Sequence, residues 1–245
     1  MSYTNGKNDI KVLDNDISDV ENSFHAKLKF KNFRNNRFKL YFGLEYLATD
    51  FSENYSSNSI SEIDYGFNNN ISAAFTEADI FFSKKLALKP GLRLEYSEIF
   101  KDFTVSPRVS LAYKTSEKSQ ISLAYGDFYQ NTSSEILKFN QSLQPQHTKH
   151  YILNYQYNSE GKIFRAEAFY KDYSKLVKYD TDFASFDTNY NSNGSGYAKG
   201  LDLFWRDSKS IKNVDYWLSY SYLDAERNHK NYLNSAQPNF ANTHN

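Results

Sequence analysis

Residue types that could bind a metal ion or perform acid–base catalysis occur in this chain, but few are suitably spaced. His147 and His150 are three positions apart in a segment with the pattern of a β-strand. Successive side chains of a strand point to opposite faces, so this spacing suits a shared metal ion poorly. Glu77 and Asp79 lie two positions apart and share a face, as a catalytic carboxylate pair could. Two solvated charges near Arg93 explain them more simply.

The other motifs with a possible chemical role are incomplete. Asp14, Asp16 and Asp19 lack the central glycine and terminal glutamate of an EF-hand loop. Gly194-Ser195-Gly196 is interpreted as a loop hinge, because neither a nucleophile elbow with partner His and Asp nor a phosphate-binding loop is present. The sequence therefore predicts no catalytic, cofactor-binding or metal-binding residues, and a protein that is not an enzyme and needs no cofactor.

Aromatic residues in the polar links form the remaining candidate for a binding function. They could form a stacking surface for a sugar or an aromatic chelate, or they could pack one loop on another. The sequence does not single out any of them, so the substrate-binding residues are unknown. The set comprises Tyr55, Tyr65, Phe67, Phe139, Tyr179, Phe183, Phe186 and Tyr190.

Composition excludes several functional classes. Lys plus Arg and Asp plus Glu both total 29, and this zero net charge argues against a nucleic-acid partner. No strictly apolar run exceeds three residues, which excludes a transmembrane helix. The chain contains no cysteine, so disulfides and cysteine metal sites are excluded. Its 21 tyrosines and 20 phenylalanines favour a membrane–water boundary, where a ring with a polar end is stable.

Alternation of apolar and polar residues is the dominant pattern. In residues 37–49, Phe38, Leu40, Phe42 and Leu44 alternate with polar or small residues. Ten such segments of about nine to thirteen residues occur, each long enough for a tilted strand to cross a bilayer. The links between them are alternately short and long. This combination predicts an all-β fold, namely part of a transmembrane antiparallel up-and-down β-barrel.

The pattern predicts one barrel domain over 1–245, with a loop at 1–21, five β-hairpins at 22–223 and a loop at 224–245. Predicted short turns lie at 33–36, 83–85, 115–118, 158–161 and 207–213. Predicted longer loops include 50–70, 130–146 and 174–196.

Aromatic residues recur at both ends of the apolar stripe, as the two interfacial girdles of a barrel require. One predicted band comprises Tyr46, Tyr96, Tyr125, Tyr170 and Tyr222. The other comprises Phe38, Tyr113, Tyr157, Phe164, Trp205 and Tyr216. Charged residues on the alternate positions are predicted to face a wet lumen: Glu45, Glu77, Asp79, Arg93, Glu95, Arg108, Arg165, Glu167, Asp202 and Arg206.

Four segments resemble the barrel of TonB-dependent outer-membrane receptors, and most closely the large Bacteroidetes-type members. They are Phe42-Gly-Leu-Glu-Tyr46, Ser106-Pro-Arg-Val-Ser-Leu-Ala-Tyr113, Arg165-Ala-Glu-Ala-Phe-Tyr-Lys-Asp172 and Gly196-Tyr-Ala-Lys-Gly-Leu-Asp-Leu-Phe-Trp-Arg206. The resemblance covers the chain from the first predicted strand to the tenth.

The resemblance implies a barrel of about 22 strands in the bacterial outer membrane. It also implies import of a scarce, bulky nutrient such as siderophore-bound iron, cobalamin, a glycan or a peptide. The implied partners are outer-membrane lipid, a nutrient ligand at the external loops, and the TonB complex acting through a plug domain that this chain lacks. No TonB box, closing strand or signal peptide is recognised either. We therefore expect a middle-to-late piece of a barrel, unable to perform gated transport alone.

Three other functions fit parts of the pattern. A passive outer-membrane porin or channel would share the architecture. A soluble all-β glycan-binding or adhesive module would bury the apolar stripe against a second layer of protein. An outer-membrane enzyme is disfavoured by the missing nucleophile constellation. A barrel predicts strands paired in sequence order with first and last strands at the edges, whereas a sandwich predicts Greek-key pairing.

Overall fold

The computed structural model describes residues 1–58, 60–238 and 241–244. Its eleven strands form one antiparallel sheet, and the order of strands in the sheet is their order in the sequence. The predicted sequential pairing is therefore confirmed, with the first and last strands at the two edges. Within the described ranges no helix is long and apolar enough to cross a membrane.

Among the described residues, the strands and one short helix have the following bounds: β1 (Ser2–Val12), β2 (Asn15–Asn35), β3 (Phe38–Ser57), β4 (Ile60–Phe81), β5 (Leu86–Ser97), β6 (Asp102–Lys114), β7 (Ser119–Gln130), α1 (Ser134–Leu137), β8 (Gln146–Ser159), β9 (Lys162–Tyr179), β10 (Tyr190–Asp207) and β11 (Tyr216–Asn228).

Strand register follows from alternation and from the short turns. Leu44 of β3 pairs with Leu28 of β2, while its neighbour Glu45 pairs with Lys27. One face of the sheet is therefore apolar and the other charged, and a slip of one residue would exchange them. At the turn between β8 and β9, Gly161 has φ +72°, a left-handed conformation that glycine adopts without a steric penalty.

The predicted loops at 1–21 and 50–70 are wrong in part, because strands occupy most of both ranges. β1 and the first residues of β2 fill the first range, which gives eleven strands instead of ten. In the second range β3 and β4 continue almost to the tip of their hairpin, with Phe51 paired to Phe67. Both faces of these extensions carry polar residues, so the alternation that identified the other strands is missing there.

The predicted tail loop at 224–245 also contains regular structure. β11 continues to Asn228. Beyond it the chain turns back, and Arg227 and Ala236 exchange backbone hydrogen bonds of 2.9 and 3.0 Å. Ser59 of the 50–70 prediction and Asn239, Phe240 and Asn245 of the tail prediction lie outside the described residues. The assignment of the whole chain to one domain stays a prediction.

Candidate functional site

The sheet presents an exposed apolar face, and this is the first element of the candidate site. Leu28, Leu44, Leu123 and Leu218 are 55, 59, 54 and 66% exposed on four different strands. Soluble proteins rarely leave a continuous apolar surface of this extent uncovered. We call this surface the apolar face, and the opposite surface, which carries Glu45, the charged face.

Aromatic rings border the apolar face at both ends. The ring contacts are Tyr96–Phe103 at 4.7 Å, Tyr125–Tyr151 at 5.1 Å and Tyr151–Tyr170 at 6.3 Å at one end, and Tyr155–Phe164 and Phe164–Trp205, both at 6.2 Å, at the other. Three members were not predicted as band residues: Phe103, Tyr151 and Tyr155. Such bands are typical of the two membrane–water interfaces.

The Glu45 carboxylate on the charged face contacts three side chains that carry a cation or can donate a hydrogen bond. Oε2 of Glu45 lies 2.5 Å from the Arg93 guanidinium and 3.2 Å from Lys27 Nζ, and its Oε1 lies 2.7 Å from His25 Nε2. Arg93 also donates to Glu95 at 2.7 Å. The network joins β2, β3 and β5. Glu45 and Arg93 are 10 and 20% exposed, so water screens this pair weakly, whereas His25 and Lys27 are 40 and 46% exposed.

Glu77 and Asp79 lie beside a different cation from the one predicted. Lys89 Nζ is 3.8 Å from Glu77 and 3.6 Å from Asp79, whereas Arg93 is engaged by Glu45 and Glu95. The Tyr41 hydroxyl donates to Asp79 at 3.1 Å. The expectation that Arg93 neighbours this pair is wrong. Gly91 of β5 lies opposite Glu77, and Arg93 is two residues further along β5, opposite Phe75.

Residues 131–145, which we call the strap, connect β7 to β8 and cross to the hairpin of β3 and β4. Leu137 of α1 is 2% exposed and packs in a cluster with Phe51 and Phe67, whose rings stack at 5.3 Å. Phe51 has the same strand parity as Glu45, so the strap lies on the charged face. It therefore covers one end of that face.

An ion pair fastens the strap to the hairpin. Lys138 Nζ contacts both carboxylate oxygens of Glu53, at 2.6 and 2.7 Å, and the two side chains are 14 and 11% exposed. Ser134 Oγ donates to Glu21 at 3.3 Å, and the Gln144 backbone N–H donates to Ser192 Oγ at 3.1 Å. The strap thus has polar contacts with β2, β3 and β10 as well as its apolar anchor.

The loop aromatics divide between the two predicted roles. Tyr65 packs edge-on against Phe139 of the strap at 5.3 Å, and its ring lies 6.4 Å from Phe186. Phe67 is buried, whereas Phe183 and Phe186 are 75 and 71% exposed. Tyr179 and Tyr190 contact each other at 6.0 Å, and the Tyr55 hydroxyl donates to Asn15. Loop packing accounts for most of the set, whereas Phe183 and Phe186 keep most of their surface exposed.

The two histidines lie on different faces, as their spacing predicts. His147 Nε2 lies 2.7 Å from Asp127 and its Nδ1 3.2 Å from Ser174, beyond the aromatic band of the apolar face. His150 contacts the Phe128 ring at 4.6 Å on the charged face. In the part of the chain that the structure describes, no group of three or more His, Cys, Asp or Glu side chains could hold a metal ion.

Asp16, Asp19 and Gly194, from the other candidate motifs, have structural contacts. Asp16 pairs with Lys11, and Asp19 accepts a hydrogen bond from Asn8, within the hairpin of β1 and β2. The interpretation of Gly194-Ser195-Gly196 as a loop hinge is wrong, because these residues belong to β10 with register shifts on both sides of Gly194. A Cβ atom at Gly194 would lie 2.6 Å from the Leu176 carbonyl oxygen, so the bulge requires glycine.

The loop 180–189, which carries Phe183 and Phe186, is predicted to loosen in acid. Asn189 donates from its side chain and its backbone to Asp180, at 2.7 and 3.0 Å, and these bonds lower the pKa of Asp180. Because the folded pKa is below the unfolded value of about 3.9, this stabilisation is complete above that value and is lost as pH falls through the folded pKa.

Hydrogen exchange of residues 180–189, corrected for intrinsic rates, measures this loosening. We expect greater protection at neutral pH than near pH 3. The Asp180→Asn variant serves as the control and should show the low protection at both. Protection in the unmodified protein that is independent of pH would contradict the assignment.

This chain matches the sequence model of one protein family. A model described as "TonB dependent receptor-like, beta-barrel" matches residues 2–244. No curated protein sequence matches the chain.

Solved structures share the fold at low identity. The outer-membrane transporter YddB from Escherichia coli is 17% identical with a TM-score of 0.68, over 86% of this chain and 34% of that one. A mutant of the ferric enterobactin receptor PfeA from Pseudomonas aeruginosa, in complex with enterobactin, is 14% identical with a TM-score of 0.66, over 85% of this chain and 36% of that one. The siderophore receptor PirA, also from Pseudomonas aeruginosa, is 14% identical with a TM-score of 0.61, over 90 and 44%. The chain thus spans less than half the length of these proteins.

Proposed function

Since the chain belongs to the TonB-dependent receptor β-barrel family of the bacterial outer membrane, we propose that it forms part of a receptor that imports a scarce, bulky nutrient. The apolar face contacts outer-membrane lipid, and the charged face lines the lumen. The nutrient binds at the mouth of the barrel, where the strap and loop 180–189 meet the hairpin of β3 and β4. TonB acts through a plug domain that belongs to the rest of the protein.

One observation supports this proposal most directly. The two faces of the same sheet differ: one is apolar and exposed, and the other is charged and covered at one end by the strap. Lipid on one side and water on the other satisfy both faces at once. The strap, anchored by Leu137 and by the Lys138–Glu53 pair, leaves Phe186 exposed beside it. The exposed Phe186 ring beside the strap could contact a bulky solute at the mouth of the barrel.

The family consists of transporters and receptors rather than enzymes. In the proposed role this chain performs no catalysis and needs no cofactor of its own. The nutrient classes that fit are siderophore-bound iron, cobalamin, glycans and peptides. Membership in the Bacteroidetes-type subgroup stays a prediction from the sequence.

Energised uptake distinguishes the proposal from a passive porin. In the bacterium that encodes the protein, we expect deletion of its gene to lower uptake of one of four radiolabelled probes by at least about tenfold. The probes are a ferric siderophore, cyanocobalamin, an oligosaccharide and an oligopeptide. A protonophore should abolish that uptake. Uptake that survives the protonophore would indicate a passive porin, and a freely soluble product would indicate a glycan-binding or adhesive module.

Locking the strap tests its role at the mouth. These 245 residues contain no cysteine, so Lys138→Cys and Glu53→Cys together introduce the one cysteine pair of this segment. In the full-length receptor, a cleavable bismaleimide joining them should block uptake, and a reductant that cleaves the linker should restore it. Each single variant treated with the same reagent is the control. Unchanged uptake with the strap crosslinked would show that the nutrient passes elsewhere.

A further inference from the structure

A cavity of about 210 Å³ opens on the charged face between β4 and β8, away from the strap. Its floor is made of small residues, namely Gly91, Ala124 and Gly126. Lys89, Arg108, Phe128 and His150 surround it. Neither the strap nor the Glu45 network contributes a side chain to it.

Arg108 is held in place by aromatic contact. Its guanidinium carbon lies 4.5 Å from the centre of the Phe128 ring, and the same ring lies 4.6 Å from His150. Gly126 separates Arg108 from His150 in the register of β6, β7 and β8. A Cβ atom at Gly126 would lie 2.9 Å from the Phe128 ring and 3.3 Å from Arg108 Cγ, so the glycine makes room for both.

The charge around the cavity is not balanced. Glu77 is its carboxylate, and the nearest cation to it is Lys89 at 3.8 Å. Arg108 has no carboxylate within 4 Å among the residues that the structure describes, unlike Arg93 and Arg206. Lys171 lies opposite His150 in the register of β8 and β9, and its ammonium group contacts the Phe169 ring instead of an acid. Asp79 also lies 3.6 Å from Lys89, so acids offset Lys89, and Arg108 is the cation of the lining that lacks such a partner among the described residues.

We propose that this cavity is a binding site for a solute carboxylate attached to a flat, apolar body, with Arg108 as its principal ligand. The proposal rests on the proposed function, because it assumes that the charged face lines a solute pathway. A guanidinium binds a carboxylate through two parallel hydrogen bonds, and its stacking on Phe128 fixes the orientation of the donors. Phe128, His150 and the small floor residues accommodate the apolar body.

A simple aromatic carboxylate tests the site independently of transport. The probe is 4-fluorobenzoate, titrated into the purified full-length receptor in detergent and followed by ¹⁹F NMR. We expect Arg108→Gln and Arg108→Ala to weaken binding at least about tenfold, and Arg108→Lys to weaken it by less. Neutral 4-fluorobenzamide lacks the carboxylate that Arg108 would bind. Its affinity for the unmodified receptor should therefore be no higher than the affinity of 4-fluorobenzoate for the Arg108→Gln variant.

Arg165→Ala is the matched control, because Arg165 is another arginine of the charged face and lies outside the cavity. It should bind 4-fluorobenzoate as the unmodified receptor does. Equal binding by Arg108→Gln and the unmodified receptor would overturn the proposal. So would the absence of binding at millimolar probe. Failure of the uptake experiment alone would leave these titrations unchanged.

Discussion

Replacing Leu123 by arginine is expected to lower the free energy of unfolding in a lipid bilayer by about 2–4 kcal/mol. Leu123 lies on the apolar face of β7, between Leu111 of β6 and Leu153 of β8. It is 54% exposed and lies between the two aromatic bands. A guanidinium there would have to leave water for hydrocarbon, and the bilayer midplane is where that cost is greatest.

The matched control is Ser122→Arg, one residue earlier on the same strand. Ser122 belongs to the charged face, where an added arginine meets water, and the change should stay below about 1 kcal/mol. Urea unfolding of the full-length receptor in lipid vesicles, with gel mobility before and after heating, measures both. Equal losses for the two variants would mean that the two faces do not contact different solvents.

The substitution Glu45→Gln is expected to destabilise the receptor by about 2–3 kcal/mol, since hydrogen bonds to charged groups contribute about 1.5–3 kcal/mol. The amide keeps the shape of the side chain but removes the charge that Arg93, Lys27 and His25 share. Arg93 keeps Glu95, whereas Lys27 has no second carboxylate within 4 Å among the described residues. Arg93 and Lys27 would then lie close together, and Glu95, which bonds Arg93 alone, would be the remaining acid.

An exposed ion pair supplies the comparison for this variant. Asp16→Asn removes the partner of Lys11, and the two side chains are 54 and 75% exposed. Surface pairs of this kind contribute about 0–1 kcal/mol. The same vesicle unfolding measurement should therefore separate the two variants clearly. A loss at Glu45 no larger than that at Asp16 would show that the network is fully solvated.

Sequence predicts this fold well wherever the two faces of a strand meet different solvents. Leu44 is apolar and its neighbour Glu45 is charged because they lie on opposite faces of the sheet. The strand can therefore be recognised from the alternation of residue types along the sequence. The same strand continues to Ser57 with polar residues on both sides. There alternation carries no information, and only cross-strand pairing such as Phe51 with Phe67 defines the structure.

The candidate site was less accessible to prediction, because its contacts join residues far apart in sequence. Lys138 and Glu53 are 85 positions apart, and nothing local to either residue indicates the pairing. The partner of Arg93 depends on the register of three strands, which is why Lys89 instead neighbours Glu77 and Asp79. The loop aromatics were identified as a set, but which of them are buried depends on where the strap docks.

In the proposed orientation, the length of the hairpin of β3 and β4 carries its tip beyond the lipid. Strands of 20 and 22 residues extend about 66 and 73 Å at about 3.3 Å per residue. Even at a tilt near 45° they rise well above an apolar band of about 25 Å. Because this projection is a hydrogen-bonded ribbon rather than a slack loop, it presents a stiff epitope at a fixed height.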